Sequence, residues 1–347
     1  MRKWLIAFLV LGSLILPVSA MEITAPTAPE SAQQYMPQEN ETFAQGLLYV
    51  IKTAIQKVKP ELSESMGLCY RLVAAMILLG LVNTFCQGAI GSIRVAGAVI
   101  LGILLLEPAH SMIRLGAETV HELSEYSKLL LPVMTAAIAA QGGVSSSAAL
   151  YTGTVFFNTL LGNIIARLLV PALYIYLCLS VANCALEQDI LKKVRDFVKW
   201  LMVWGLKTVL YVFTGYIGIT GVVSGTVDAS ALKAAKLTIS GAVPVVGGIL
   251  SDASETILIS AGLMKSTAGV YGILAVLAIC IGPFLKIGLL YLLLKLTGSI
   301  SHVVGYKPAA ALAEDFSGGM GLVLAMTGSV CVLLLVSLVC FMKGMGG

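Results

Sequence analysis

Charge is what this 347-residue sequence has least of. Only 12% of its residues are Asp, Glu, Lys or Arg, against 58% hydrophobic, and the mean hydropathy is +0.94. Soluble domains carry about 25% charged residues, so this balance excludes an ordinary soluble domain and indicates a chain that crosses a bilayer several times. The net charge is only +4, too small for a nucleic-acid-binding surface. The seven cysteines (Cys69, Cys86, Cys178, Cys184, Cys280, Cys331 and Cys340) lie in or beside apolar runs, and none form a C-x-x-C pair. An odd number so placed argues against a disulfide framework or a zinc site. His110, His121 and His302 are too scattered for metal-ligand spacing. There is no G-x-x-x-x-G-K, no H-E-x-x-H and no G-x-S-x-G, and Gly319-Met320-Gly321 lacks the strand that a dinucleotide loop needs. With no nucleophile set beside a base, the expectation is a protein that is not an enzyme and carries no cofactor or metal.

Turning to what is present, Arg2 and Lys3, the apolar run from Trp4 to Leu16, and Val18-Ser19-Ala20 read as a signal peptide over 1–20. The alternative is an uncleaved first membrane helix. Residues 21–42, with Pro26, Pro29 and Pro37, read as a disordered polar linker. Over 43–66 an amphipathic helix and connector are expected. Phe43, Leu47, Ile51, Ile55 and Val58 recur at helical spacing, and Pro60 is expected to stop the helix.

Residues 67–347 form a polytopic membrane domain. Leu68–Phe85 and Ile93–Leu106 read as spans, and 109–128 as a polar helix. Leu129–Ala140, which contains Pro132, is too short to cross about 30 Å of hydrocarbon and suggests a re-entrant or broken helix. Ala148–Leu186 reads as two spans broken between Asn163 and Pro171, and Leu201–Val223 as another span. Gly241–Leu250, with Pro244, is a second short piece. Spans follow at 268–281, 284–300 and 320–341, with a polar loop at 301–319. The fold class expected is therefore all-α: a transmembrane helical bundle with two short re-entrant or broken helices.

The chain also looks duplicated. Pro132 to Pro171 and Pro244 to Pro283 are each 39 residues apart, and the two pairs are offset by 112. Pro132-Val133 then matches Pro244-Val245, and Leu173, Ile175 and Leu177 match Leu285, Ile287 and Leu289. Repeat units of about 92–186 and 204–300 follow, an arrangement typical of transporters. Lys192, Lys193, Arg195 and Lys199 place their segment in the cytoplasm by the positive-inside rule, while cleavage after Ala20 places Met21 outside. Both hold only if an odd number of spans lies between, and the reading above gives four. One short piece must cross, one span is miscounted, or the basic segment is outside.

Charges within the apolar stretch 241–301 are the candidate functional residues. A charge at mid-membrane costs about 2.5–3.5 kcal/mol on insertion scales and needs a partner or a wet path. Asp252 and Glu255 fit a capping box before an apolar run, or else a carboxylate pair for ions or protons. Lys265 and Lys286 either line a polar path, together with those carboxylates, or snorkel to headgroups. Lys286 and Lys295 share one apolar run, which makes Lys286 the sharper candidate. Arg167 and Lys207 read as snorkelling. Gly215-x-x-Gly218-x-x-Gly221 makes a small face for helix packing.

The run Lys236-Leu237-Thr238-Ile239-Ser240-Gly241-Ala242-Val243-Pro244-Val245-Val246-Gly247-Gly248, then Ser251-Asp252-Ala253-Ser254-Glu255-Thr256 and Lys265-Ser266-Thr267-Ala268-Gly269, closely resembles the stage III sporulation protein AE family of endospore-forming Firmicutes. Pro283, Lys286 and Leu289–Leu296 continue the likeness, as do Gly142-Gly143-Val144-Ser145 and Pro171 in the earlier half. It covers roughly Phe43 to Phe341. The resemblance implies a multi-pass protein of the mother-cell membrane around the forespore, part of a channel complex. Its implied partners are the sibling stage III proteins (an ATPase, ring-forming and membrane subunits) and a forespore-side protein. It supplies no catalytic or binding residues.

Overall fold

The computed structural model describes residues 25–37, 43–85, 90–140, 144–223, 267–304 and 307–344. The expected signal peptide, the second short piece at 241–250 and the polar segment 224–240 lie outside them. The described elements are all helical: α1 (Glu30–Gln33), α2 (Phe43–Phe85), α3 (Ile90–Ala140), α4 (Val144–Ile164), α5 (Val170–Leu186), α6 (Asp189–Val223), α7 (Thr267–Val304) and α8 (Lys307–Gly344). A five-residue π-helical turn, Ile165–Leu169, joins α4 to α5 without a break. Among the described residues six helices are long and apolar enough to cross a membrane, counting α4–α5 as one.

The last helix is the axis of the bundle. In α8 83% of the apolar window is buried, against 56% in α7 and 11% in α2. Its inward residues are Ala309, Ala313, Phe316, Met320, Val323, Thr327, Val330, Leu334, Ser337 and Phe341, all buried. They alternate in steps of four and three, the seven-residue spacing that lets helices pack side by side at a shallow angle. α3 carries the same spacing in Ile113, Val120, Leu123, Ser127, Leu130 and Met134, with Gly116 between Ile113 and Val120. At Gly116 a Cβ would sit 2.4 Å from Val323 of α8, so glycine there permits the close approach.

Contacts fix the helix directions. Cys184 of α5 meets Pro308 of α8, and Gly319 lies against Leu177, so these two helices are antiparallel. Gly298 lies against Glu314, and Gly269 against Met342, so α7 and α8 form an antiparallel hairpin. Met76 meets Ser301, and Gly46 lies against Leu274, so α2 runs parallel to α7. The starts of α3, α6 and α8 and the ends of α5 and α7 thus gather at one end of the bundle. We call it the basic end, since Lys192, Lys193, Arg195 and Lys199 lie there.

Several expectations change. Pro60 does not stop α2: it sits on the exposed side of a continuous 43-residue helix held along α7 at both Gly46 and Met76. The piece 129–140 is not a separate broken helix but the last part of the 51-residue α3, which rises about 75 Å at 1.5 Å per residue and outruns any bilayer. The polar stretch 109–128 stays helical because most of its inward positions are apolar, and the buried Thr119 and Ser127 hydroxyls donate to the Leu115 and Ser124 carbonyls of the same helix. Residues 148–186 form one long rod. The π turn and Pro171 sit where two spans were expected to part. A proline ring clashes with the carbonyl four residues back, here Arg167, and the widened turn around Arg167 relieves that clash. The loop expected at 301–319 is mostly helix, since Ala309, Ala310, Leu312, Ala313 and Phe316 bury an apolar face.

The linker differs too. Residues 25–37 lie against the bundle, with Ala28, Ala32 and Tyr35 buried. Tyr126 donates to the Pro26 carbonyl (3.3 Å), Tyr271 accepts from the Ala28 amide (3.3 Å), and Ser31 donates to Glu122 (2.7 Å). Gly282 makes room for the Tyr35 ring, since a Cβ there would lie 2.8 Å from the phenol oxygen.

Among the described residues three spans, α2, α3 and α4–α5, precede the basic segment. The stretch 148–186, expected as two spans, is one rod, and an odd count is what the expected cleavage after Ala20 and the positive-inside rule together require. α3 and α6, in which the expected units 92–186 and 204–300 begin, both start at the basic end. Much of the second unit lies outside the described residues.

Candidate functional site

Of the four expected site residues, Asp252, Glu255 and Lys265 lie outside the described residues. Lys286 is partly buried on α7, one turn after Pro283 and next to the fully buried Ile287. Arg167 is exposed within the π turn, and Lys207 is half-buried on α6. Gly215 and Gly218 approach nothing among the described residues. The glycines that admit close helix packing are others: Gly116, and Gly153, where a Cβ would lie 1.9 Å from the Tyr216 ring.

The charges that the structure brings together sit at the basic end. Arg195, on the inward face of α6, is 8% exposed. Its guanidinium forms an ion pair with Asp315 of α8 through Nη1, and holds Asp196 through Nη2 (2.9 Å) and Nε (3.1 Å). One fork therefore ties its own helix to α8, a geometry suited to guanidinium and not to a lysine. The Tyr176 hydroxyl of α5 donates to the Asp315 backbone carbonyl (3.0 Å). Gly318 brings α8 close enough that a Cβ there would lie 3.2 Å from both the Lys199 Nζ and the Tyr176 hydroxyl.

A second tie lies alongside. Glu187, after the last turn of α5, adopts φ 49°, the left-handed conformation that usually falls to glycine. Arg94 of α3 secures this turn, donating to the Ala185 carbonyl (3.0 Å) and pairing with the Glu187 carboxylate (2.7 Å). The free carbonyls of a helix end are thereby satisfied by a cation from a neighbouring helix. Between α5 and α8 is a cavity of about 210 Å³, with Cys184 and Glu187 on one wall and Lys307 and Asp315 on the other. Glu314 adds a bridge to α7 through Lys295 (3.9 Å) and faces His302 (3.6 Å).

This cluster joins α3, α5, α6, α7 and α8 by charge at the basic end of the bundle. Sequence reasoning missed it because Asp315 fell in a segment read as loop and Arg195 in a charged, amphipathic segment whose cations were used only for orientation. The available signal was the spacing: Arg195, Met202 and Leu206 lie on one face of α6, so Arg195 points inward with the apolar residues. Among the described residues no three His, Cys, Asp or Glu side chains lie close enough to share a metal ion. What the arrangement can do is fix helix ends and present an ordered, charged face.

The family model for stage III sporulation protein AE matches residues 31–344. The stage III sporulation protein AE of Bacillus subtilis (strain 168) is 24% identical over 267 residues, which covers 77% of this chain and 67% of that protein. No solved structure matches the fold. The family match takes in all six helices among the described residues that are long and apolar enough to cross a membrane, and the whole charged cluster at the basic end, and on that ground the chain belongs to the stage III sporulation protein AE family.

Proposed function

We propose that the protein is a multi-pass subunit of the stage III sporulation machinery in the mother-cell membrane, with its basic end in the mother-cell cytoplasm. There it serves as the platform of a channel complex. The observation that carries this reading is the family match over residues 31–344, the same stretch that forms the six-helix bundle. The odd number of spans before the basic segment supports the orientation. The charged cluster supports the platform role, since a rigid face at the cytoplasmic end suits docking of an ATPase or another sibling protein.

The centre of the described bundle is filled by α8, whose Met320, Val330 and Leu333 are fully buried. A conduit therefore belongs between copies or between subunits, and the single chain is the wall. If Asp252, Glu255, Lys265 and Lys286 face such a path, leucine at each position impairs spore formation at unchanged protein level. Normal spore counts from all four variants contradict a lining role and leave the platform. A self-contained transporter is the rival reading. It requires solute uptake by the purified protein alone in liposomes, whereas a platform subunit gives none without its partners.

A further inference from the structure

The first four turns of α6 carry a second feature that the charged cluster does not use. On the face turned away from the bundle, Ile190, Val194, Phe197, Trp200, Leu201 and Trp204 are all exposed, Ile190 by 71% and the two tryptophans by 57% and 53%. Phe197, Trp200 and Trp204 form a continuous stack, with ring centroids 5.8 Å and 6.1 Å apart and the planes tilted by 28° and 20°. Lys193 lies one turn before Phe197 and two before Trp200 on the same stripe, and Lys192 is exposed beside it. The neighbouring acids are otherwise engaged: Asp196 by Arg195, Glu187 by Arg94, while Asp189 occupies the first turn and complements the helix dipole. Lys192 and Lys193 are the surplus cations of this surface.

Stacked tryptophans settle at the headgroup level of a bilayer, where the ring body is apolar and the indole N–H finds water or phosphate. Lysines at that depth meet lipid phosphates. We propose that this face of α6 is a binding site for anionic phospholipid. The aromatic stack lies along the upper acyl chains, and Lys192 and Lys193 hold the headgroup phosphate at the basic end. The charge excess selects an anionic headgroup over a zwitterionic one, since each lysine near an anionic surface strengthens binding about fivefold. The site rests on the membrane architecture alone and is independent of the role of the protein in sporulation.

Trp200 and Trp204 are two of only three tryptophans, and the third, Trp4, lies in the expected leader. In a Trp4→Phe background, fluorescence therefore reports on this face. The full chain is reconstituted into bilayers containing phosphatidylglycerol or phosphatidylcholine with bromines on the upper acyl chain, at equal mole fraction. Both lipids are expected to quench, and the brominated phosphatidylglycerol more strongly. That preference should fall about fivefold per lysine in Lys192→Gln and Lys193→Gln, with quenching by phosphatidylcholine unchanged. Equal quenching by the two lipids, or a preference untouched by both substitutions, overturns the site. Absence of quenching by either lipid also overturns it, and shows the face covered by protein, such as a second copy.

Discussion

Arg195 and Asp315 hold opposite charges on two helices with little water between them: their side chains are only 9% and 16% exposed. Breaking such a pair on one side leaves a charge without its partner and costs about 3–5 kcal/mol, while replacing both members by apolar residues is often close to neutral. Asp315→Leu should therefore lower the thermal unfolding midpoint of the detergent-purified protein sharply. The double variant Arg195→Met, Asp315→Leu should recover most of the loss. An unchanged midpoint in the single variant would show the pair to be incidental. At this scale the sequence was only partly legible. Lys286 stood out because it interrupts an apolar run, whereas Arg195 and Asp315 lie among other charges and are marked only by their inward position on helices whose limits the sequence blurred.

At the scale of elements, continuity was the hard part. Each polar stretch and each proline looked like a boundary, because an apolar run of a dozen residues cannot cross a membrane. A helix needs apolar residues mainly on the face it buries, however, and in α3 that face runs from Ala109 through Tyr126 to Met134, with only Thr119 and Ser127 polar, past seven charged or histidine positions that are not buried. Where the expected break in 148–186 had a physical cause, Pro171, the structure answers with a π turn and not with a loop. Helix contacts were misplaced for a related reason: spacing finds small residues but not what faces them. Gly153→Ala should force the Tyr216 ring aside and weaken its hydrogen bond to the Ala149 carbonyl (2.8 Å), at a cost of about 1–3 kcal/mol. Gly215→Ala and Gly218→Ala, with open space around them among the described residues, should change stability by no more than about 0.5 kcal/mol. Unfolding of the three variants side by side separates packed glycines from idle ones. Equal losses would mean that α6 packs elsewhere than on α4.

At the scale of the whole molecule, composition and hydropathy were enough for an all-helical membrane protein, and the proline-marked motifs were enough for the family. The number of spans was not legible, because α3 and α4–α5 each combine pieces that sequence alone counts separately. With α4–α5 as one rod, the six spans among the described residues place residues 187–188 and the start of α8 at the basic end, and the ends of α6 and α8 at the other. The platform reading depends on that placement: only a basic end in the mother-cell cytoplasm can meet a cytoplasmic ATPase. Paired reporter fusions decide it. With a phosphatase active only outside and a fluorescent protein active only inside, fusions after Gln188 should fluoresce without phosphatase activity, and fusions after Val223 or Gly344 should show phosphatase activity without fluorescence. Phosphatase activity after Gln188, or the same reporter active after both Gln188 and Val223, would contradict the six-span bundle with its charged end in the cytoplasm.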